Sequence, residues 1–498
     1  MIRRTHQRLQ DPATLVALLI GGQVFAWTLA PALTHSAPPL DVVEGYMWGR
    51  EWVLATYKHP ALPSWALEAS RIVTGAVGWP AYLLSQLCIG ATFLLVYLLG
   101  REVMGRERAA AGTLLLTGIA FYAWPTPEFN HNIAETPLWA ALPWALWHAV
   151  ERRRLVWWVL VGVFAAAGLY AKLSTVLLLV TMAGWILWDV RARQCLRTPG
   201  PWLGLAAFLL LATPLALWLY THELGPLHYA AQRSMQAQGH GLPSFLLSVA
   251  SNLVGLLAML WIAGLLGSWR HADPPANKAE PPAPPIVDRA KHYLAVLSAG
   301  PLTLAIVSAL LSGSSLKSAW GSSMFNLAGL LAVALTAHRF DGRALQRIAV
   351  CAAVLLIVVP LGYAVVVLIG PQRDAMRMRV IWPQAQMSER LAAIWARETG
   401  KPLRIVGGDN WIAGLVGVSA KDNPSIFTNG DPAYAPWITP ERLQREGMLI
   451  VWDARTKRIP PALQPLLATH KTGEERFRFQ RAKPGKELAV GYAVIPPK

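Results

Sequence analysis

From residue 13 to residue 370 the chain repeats one pattern, an apolar run followed by a short polar turn. The runs are roughly 18–25 residues long, enough to cross ~30 Å of hydrocarbon as a helix. They fall at 13–34, 80–100, 108–125, 134–150, 155–171, 173–190, 202–220, 244–268, 293–312, 321–338 and 348–370. That gives about eleven spans by hydropathy. The composition agrees: of 498 residues, 54% are hydrophobic and only 15% charged, 23 are tryptophan, and mean hydropathy is +0.36. Such a chain is a polytopic membrane protein.

Basic residues cluster in alternate turns. Arg3, Arg4 and Arg8 precede the first span, Arg101, Arg106 and Arg108 follow the second, and Arg152, Arg153 and Arg154 follow the fourth. Arg191, Arg193 and Arg197 follow the sixth, Arg270, Lys278, Arg289 and Lys291 the eighth, and Arg339, Arg343 and Arg347 the tenth. By the positive-inside rule these turns and the N-terminus are cytoplasmic. The remaining loops, and the tail after Pro371, are then placed outside. The first span reads as a retained anchor, since no small-residue cleavage site follows it.

The net charge of +17 does not indicate nucleic acid, because much of it is this orientation signal. The tail from 371 is basic too, with 20 Lys and Arg against 12 Asp and Glu. It reads either as a solvated surface beside an anionic membrane or as a face for anionic lipid or glycan. Cys88 and Cys351 lie in spans and Cys195 in a cytoplasmic turn, so no disulfide framework or cysteine metal cluster is expected.

Two stretches break the pattern. Residues 271–288 are proline-rich and read as an extended or disordered cytoplasmic connection. After Pro371 hydropathy falls. Helical spacing over 382–399, a strand and glycine turn at 403–408, a helix over 410–420, short strands at 425–428 and 448–452 and a helix start at 440–446 predict a small α/β domain with a parallel sheet. The Gly407-Gly408 turn is too weak for a nucleotide site. The expected division is a membrane domain over 1–370, with an external loop at about 35–78, and an extracytoplasmic domain over 371–498.

Polar chemistry concentrates in the external loops. The first contains Asp41-Val-Val-Glu44-Gly-Tyr46-Met-Trp48-Gly-Arg50-Glu51-Trp52 and then Tyr57-Lys58-His59-Pro60. Asp41 and Glu44, three apart, share a face if helical. A carboxylate can take the proton of an acceptor hydroxyl or amine, and cations such as Arg50 and Lys58 can absorb the charge of a phosphate leaving group. The same residues also fit a surface loop, with Asp41 as an N-cap and Glu51 paired with Lys58. Trp48, Trp52 and Trp65 fit an interfacial aromatic belt, Trp65 above all.

The second loop carries Thr126-Pro-Glu128-Phe-Asn130-His131-Asn132-Ile-Ala-Glu135. These residues read as helix caps and an interfacial histidine, as a polar cavity, or, with Asp41, Glu128 and His131 as ligands, as a divalent-cation site. Lys172 at the outer end of two spans either snorkels to headgroups or holds a lipid phosphate. A longer loop with His222, Glu223, His228, Arg233 and His240 suits acceptor contacts.

Asp41 with Arg50-Glu51, Lys58-His59-Pro60 and Trp65, all between the first two spans, resembles the first-loop signature of the GT-C membrane glycosyltransferases. The branch is that of the protein O-mannosyltransferases and the lipid A aminoarabinose transferase (glycosyltransferase family 39-like). Glu128-Phe-Asn130-His131-Asn132 and Ala171-Lys172-Leu173-Ser174 are similar to later segments of bacterial members. The resemblance implies an all-α GT-C membrane domain with an α/β extracytoplasmic domain, in a bacterial inner membrane. It implies inverting sugar transfer from a polyprenyl-phosphate donor to a lipid, glycan or protein acceptor at the outer face, in cell-envelope, lipid A or protein glycosylation. Asp41 would match the catalytic aspartate, with Glu44 beside it. Lys58 would match the donor-phosphate lysine, supported by Arg50 and Lys172, and His59, Glu128, Asn130, His131 and Asn132 would form the acceptor or second-loop set. Two departures bear on the metal: Val42 follows Asp41 where many relatives have an acid, and the second loop offers Glu, Asn and His rather than a plain aspartate. A transporter or flippase of a lipid-linked substrate is the alternative, but it would place ionisable groups within the spans.

Overall fold

In a computed structural model the described residues are 11–235, 241–266, 286–316, 318–456 and 458–498. Arg3, Arg4, Arg8, His240, Arg270, Lys278 and most of the proline-rich stretch 271–288 lie outside them.

A helix underlies each expected span. Among the described residues, six helices are long and apolar enough to cross a membrane: Pro12–Thr34, Trp79–Met104, Pro199–Thr221, Leu242–Ile262, Asp288–Ser312 and Gly342–Asp374. Shorter apolar helices are Leu155–Ala171, Thr175–Trp188 and Gly321–Leu335. The run expected at 108–125 is not one helix. It divides into Arg106–Leu114 and the 3₁₀ turns Leu115–Gly118 and Ala120–Tyr122. Leu210 is 75% exposed and Leu361 60%, as expected of side chains that face lipid rather than protein.

The chain forms two compact units. The first comprises 1–27, 86–126 and 131–360, and its described residues are mostly helical. Within it, helices Leu155–Ala171 and Pro199–Thr221 touch at glycines: a Cβ on Gly162 would lie 2.1 Å from the Gly204 carbonyl oxygen. Small residues at such crossings let backbones approach. Several polar groups buried in this unit pair with one another. Gln23 Nε2 donates to Gln86 Oε1 at 3.1 Å, Tyr122 Oη to Asn326 Oδ1 at 2.5 Å, and Asn326 Nδ2 to the Thr136 carbonyl at 2.8 Å. Its arginine-rich turns are tied to one another through Asp11–Arg106, Glu102–Arg152, and Glu151 with Arg191 and Arg289.

The second unit joins 28–85 and 127–130 to 361–498. The first loop therefore groups with the C-terminal residues. Its centre is a five-stranded sheet of order β2-β1-β3-β5-β4, with β1 Ile405–Gly408, β2 Ser425–Thr428, β3 Met448–Asp453, β4 Thr472–Arg478 and β5 Glu487–Ile495. β1 pairs in parallel with β2 and β3, while β5 runs antiparallel to β3 and β4. The expected parallel sheet is thus a mixed one. One face packs Ile405, Met448, Ile450 and Trp452 against Ile438 and Leu463. Helices Gln384–Thr399 and Ile412–Val418 pack on the sheet as well.

The helix Leu40–Gly49 packs on Leu62–Thr74 and on Ile412–Val418. A Cβ on Gly414 would meet Val43 Cγ1 at 2.5 Å and Met47 Sδ at 2.8 Å, so glycine is what lets these two helices touch. Arg481 caps the end of Pro12–Thr34 by donating to the carbonyls of Thr34 and, at 3.1 Å, Leu33. These contacts hold the first loop against the α/β residues.

Candidate active site

Pro39 starts the helix Leu40–Gly49, so Asp41 lies in its first turn rather than at its N-cap. The turn beside a helix N-terminus favours an anionic side chain. Asp41 and Glu44 share one face, as their spacing predicts, but their surroundings differ. Asp41 is half-buried, and its Oδ2 accepts from Asn130 Nδ2 at 2.9 Å. Its Oδ1 accepts no hydrogen bond among the described residues. Glu44 is 2% exposed and both its oxygens are occupied: Oε2 lies 2.5 Å from Lys58 Nζ and Oε1 2.6 Å from Asn410 Nδ2. Among the described residues, Glu44 has a partner on each oxygen and Asp41 on one.

Lys58 is presented by a tight turn. The Thr56 N–H donates to the His59 carbonyl at 2.9 Å, and Thr56 Oγ1 accepts from the backbone N–H of Lys58 and of His59. Lys58 pairs with Glu44 rather than Glu51, and its ammonium lies 5.8 Å from the centroid of the Trp48 ring. Trp48 is buried, Trp52 is exposed, and Trp65 Nε1 donates to the Val53 carbonyl at 2.9 Å. His59 is half-buried within the turn.

Arg50 is used otherwise than expected. Its Nη1 donates to the carbonyls of Pro424 and, at 3.3 Å, Gly417. Burial lowers the guanidinium to about 10. It ties the loop to the 417–424 segment through Nη1, while Nη2 is buried without a hydrogen-bond partner among the described residues.

The second-loop residues divide. Glu128 Oε1 accepts the backbone N–H of Asp41 at 3.1 Å. Burial, and then the nearby charge of Asp41, push the Glu128 carboxyl up to about 7, with Arg379 pulling the other way. Glu128 and Asn130 therefore fix Asp41 from its backbone and its side chain. His131 and Asn132 belong to the helical unit, where they begin helix His131–Arg152. Asn132 Oδ1 accepts from Lys172 Nζ at 2.7 Å, and Glu135 Oε1 lies 3.2 Å from the same ammonium. Ser174 and Ser323 complete the cluster around Glu135, at 2.9 and 2.8 Å. Lys172 is thus half of a buried ion pair. Among the described residues no three His, Cys, Asp or Glu side chains form a group that could hold a metal ion.

Three features escaped the sequence reading. Asn410 and Arg379 come from the tail and carry no local motif. Glu135 carried one signal, an acid in an apolar helix three residues after Asn132. The third is His35, whose Nδ1 lies 2.9 Å from Tyr82 Oη and Nε2 2.7 Å from Tyr363 Oη. Burial and then Arg481 lower His35 to about 3, so the ring is neutral and donates to one tyrosine while accepting from the other.

The mostly helical fold with its small mixed sheet is similar to the GT-C fold of membrane glycosyltransferases. Residues 58–218 match the family model described as dolichyl-phosphate-mannose-protein mannosyltransferase. The chain is similar to the undecaprenyl phosphate-alpha-4-amino-4-deoxy-L-arabinose arabinosyl transferase of Pseudomonas savastanoi pv. phaseolicola, 28% identical over 242 residues, 44% of this chain and 43% of that one. The protein of the same name from Pseudomonas aeruginosa is 26% identical over 200 residues, 37% and 35% of the two chains. The matched stretch spans less than half the length of either relative. In fold, the chain is similar to the crystal structure of ArnT from Cupriavidus metallidurans bound to undecaprenyl phosphate. There the TM-score is 0.62 at 15% identity, over 96% of this chain and 97% of that one. The resemblance to the GT-C family read from the loop motifs is borne out by both sequence and fold.

Proposed function

We propose that this chain is an integral-membrane glycosyltransferase that moves a sugar from a polyprenyl-phosphate donor to a lipid, glycan or protein acceptor, with inversion, and with Asp41 as general base. The observation that carries this reading is the asymmetry of the two loop carboxylates. Glu44 is consumed by Lys58 and Asn410, whereas Asp41 is oriented by Asn130 and keeps Oδ1 open. In the proposed step the acceptor oxygen or nitrogen forms a bond to the anomeric carbon while Asp41 takes its proton. The bond from that carbon to the phosphate oxygen breaks, and the lipid phosphate leaves with the electron pair. Lys58 stabilises the charge that develops on it. Glu44 sets the position of Lys58 and takes no proton from the acceptor. Lys172 is a second candidate phosphate cation.

The donor class is supported by the undecaprenyl-phosphate names of the relatives and of the ligand in the fold neighbour. We place the reaction at the outer face of a bacterial inner membrane, with the N-terminus cytoplasmic and the α/β residues periplasmic. The positive-inside pattern, with its arginine-rich turns linked to one another, supports that orientation. The test is a transfer assay on the purified protein in lipid, with radiolabelled polyprenyl-phosphate sugar and a membrane extract as acceptor. Wild type and Asp41→Asn run side by side. Label must move with wild type and not with the variant; equal transfer by both sinks the assignment of the base.

A further inference from the structure

We infer that Asn410, from the C-terminal α/β residues, is a positioning residue for Lys58 and acts on it through Glu44. The inference rests on the proposed role of Lys58 at the donor phosphate. Glu44 divides its carboxylate between two partners, with Lys58 Nζ 2.5 Å from Oε2 and Asn410 Nδ2 2.6 Å from Oε1. A buried carboxylate with one oxygen left unpaired reorients to recover a hydrogen bond. The donor within its reach is the Lys58 ammonium. Asn410 therefore prevents Glu44 from turning both oxygens onto Lys58, which would draw the ammonium inward and neutralise it against a phosphate.

Two independent constraints aim Asn410. Its backbone lies between β1 and helix Ile412–Val418, and Asp409 Oδ1 fixes that turn by accepting the N–H groups of Trp411 and Ile412, both at 2.8 Å. The same helix meets Leu40–Gly49 at Gly414, where a Cβ would strike Val43 and Met47. Glu44 and Asn410 are thus brought together by close-packed backbone rather than by side-chain reach alone.

The measurement is binding of undecaprenyl phosphate, without sugar, to the full chain in nanodiscs. Wild type, Lys58→Ala, Asn410→Ala and Asn410→Asp are titrated at pH 8 and pH 5.5. Hydrogen bonds to charged groups are worth enough that Asn410→Ala should weaken binding about tenfold at both pH values. In Asn410→Asp a second carboxylate faces Glu44. Binding should be weak at pH 8 and recover toward wild type at pH 5.5, as one proton comes to be shared between them. Glu128 and Asp409 also titrate nearby and Arg379 is the neighbouring cation, so each variant is read as a ratio to wild type at the same pH. A packing defect would give no such recovery. Wild-type binding by both Asn410 variants, alongside weak binding by Lys58→Ala, overturns the role of Asn410. Wild-type binding by Lys58→Ala overturns the phosphate role itself, and the inference with it.

Discussion

The Asp41 backbone N–H donates to Glu128 Oε1 at 3.1 Å, so residues 87 apart in sequence place two carboxyl groups in one polar site. Glu128 is pushed up to about 7 by burial and by Asp41, and so spends much of its time protonated. Asp41 is held from its side chain by Asn130. Glu128 thus holds Asp41 from its backbone and Asn130 from its side chain.

Asp41→Asn keeps the size of the side chain and removes the base. Transfer should fall about 10²–10⁴-fold, the usual range for a lost general base. Binding of undecaprenyl phosphate should stay near wild type, because the variant leaves Lys58 and Glu44 untouched. A parallel loss of lipid binding would mean that Asp41 orders the donor rather than taking the proton.

Glu128→Gln tests the raised carboxyl through stability. The folded-state value, about 7, exceeds the ordinary 4.5, so the folded protein holds this proton more tightly than the unfolded chain does. The resulting stability is fully present below 4.5 and is lost as pH rises toward 7. Glutamine mimics the neutral form at every pH. Thermal midpoints of Glu128→Gln should therefore gain on wild type between pH 4.5 and 7 and hold a constant lead above that. A lead that does not change with pH would show that Glu128 is not perturbed.

The helices were legible because lipid demands an unbroken apolar run wherever a segment crosses it, and most expected spans coincide with helix among the described residues. Breaks within a run were not, as the 3₁₀ turns Leu115–Gly118 and Ala120–Tyr122 show, because they keep the same apolar composition. The edge strand β4 was missed for the opposite reason: Glu474, Glu475, Arg476 and Arg478 mask its alternation, and only Phe477 is fully buried. In the site, Asp41, Glu44 and Lys58 declared themselves as charges beside membrane spans. Their partners did not. Asn410 lies 366 residues from Glu44, and a polar residue in a soluble turn carries no mark of the carboxylate it meets. For Arg50 a sequence shows the charge and not the carbonyls of Gly417 and Pro424 that its Nη1 meets.

Lys58→Ala should act on donor use rather than acceptor use. The variant leaves Glu44 buried with Asn410 as its remaining partner, and loss of one member of a buried charged pair costs about 2–5 kcal/mol where it is made. The KM for the lipid-linked donor should rise at least tenfold while the KM for acceptor changes little. A rise in the acceptor KM alone would move Lys58 to the other substrate.

Lys172 carries the sharpest choice between structure and chemistry. It faces Glu135, which is fully buried and also accepts from Ser174 and Ser323. If the lysine serves that pair, Lys172→Met leaves a buried carboxylate without its cation, at a cost of about 3–5 kcal/mol. Glu135→Gln in the same chain removes the stranded charge, so the double variant should regain most of the thermal midpoint lost by the single one. Undecaprenyl phosphate binding by the double variant then separates the roles. Retained binding makes Lys172 a fold residue, whereas binding lost in a chain of restored stability makes it the second phosphate cation.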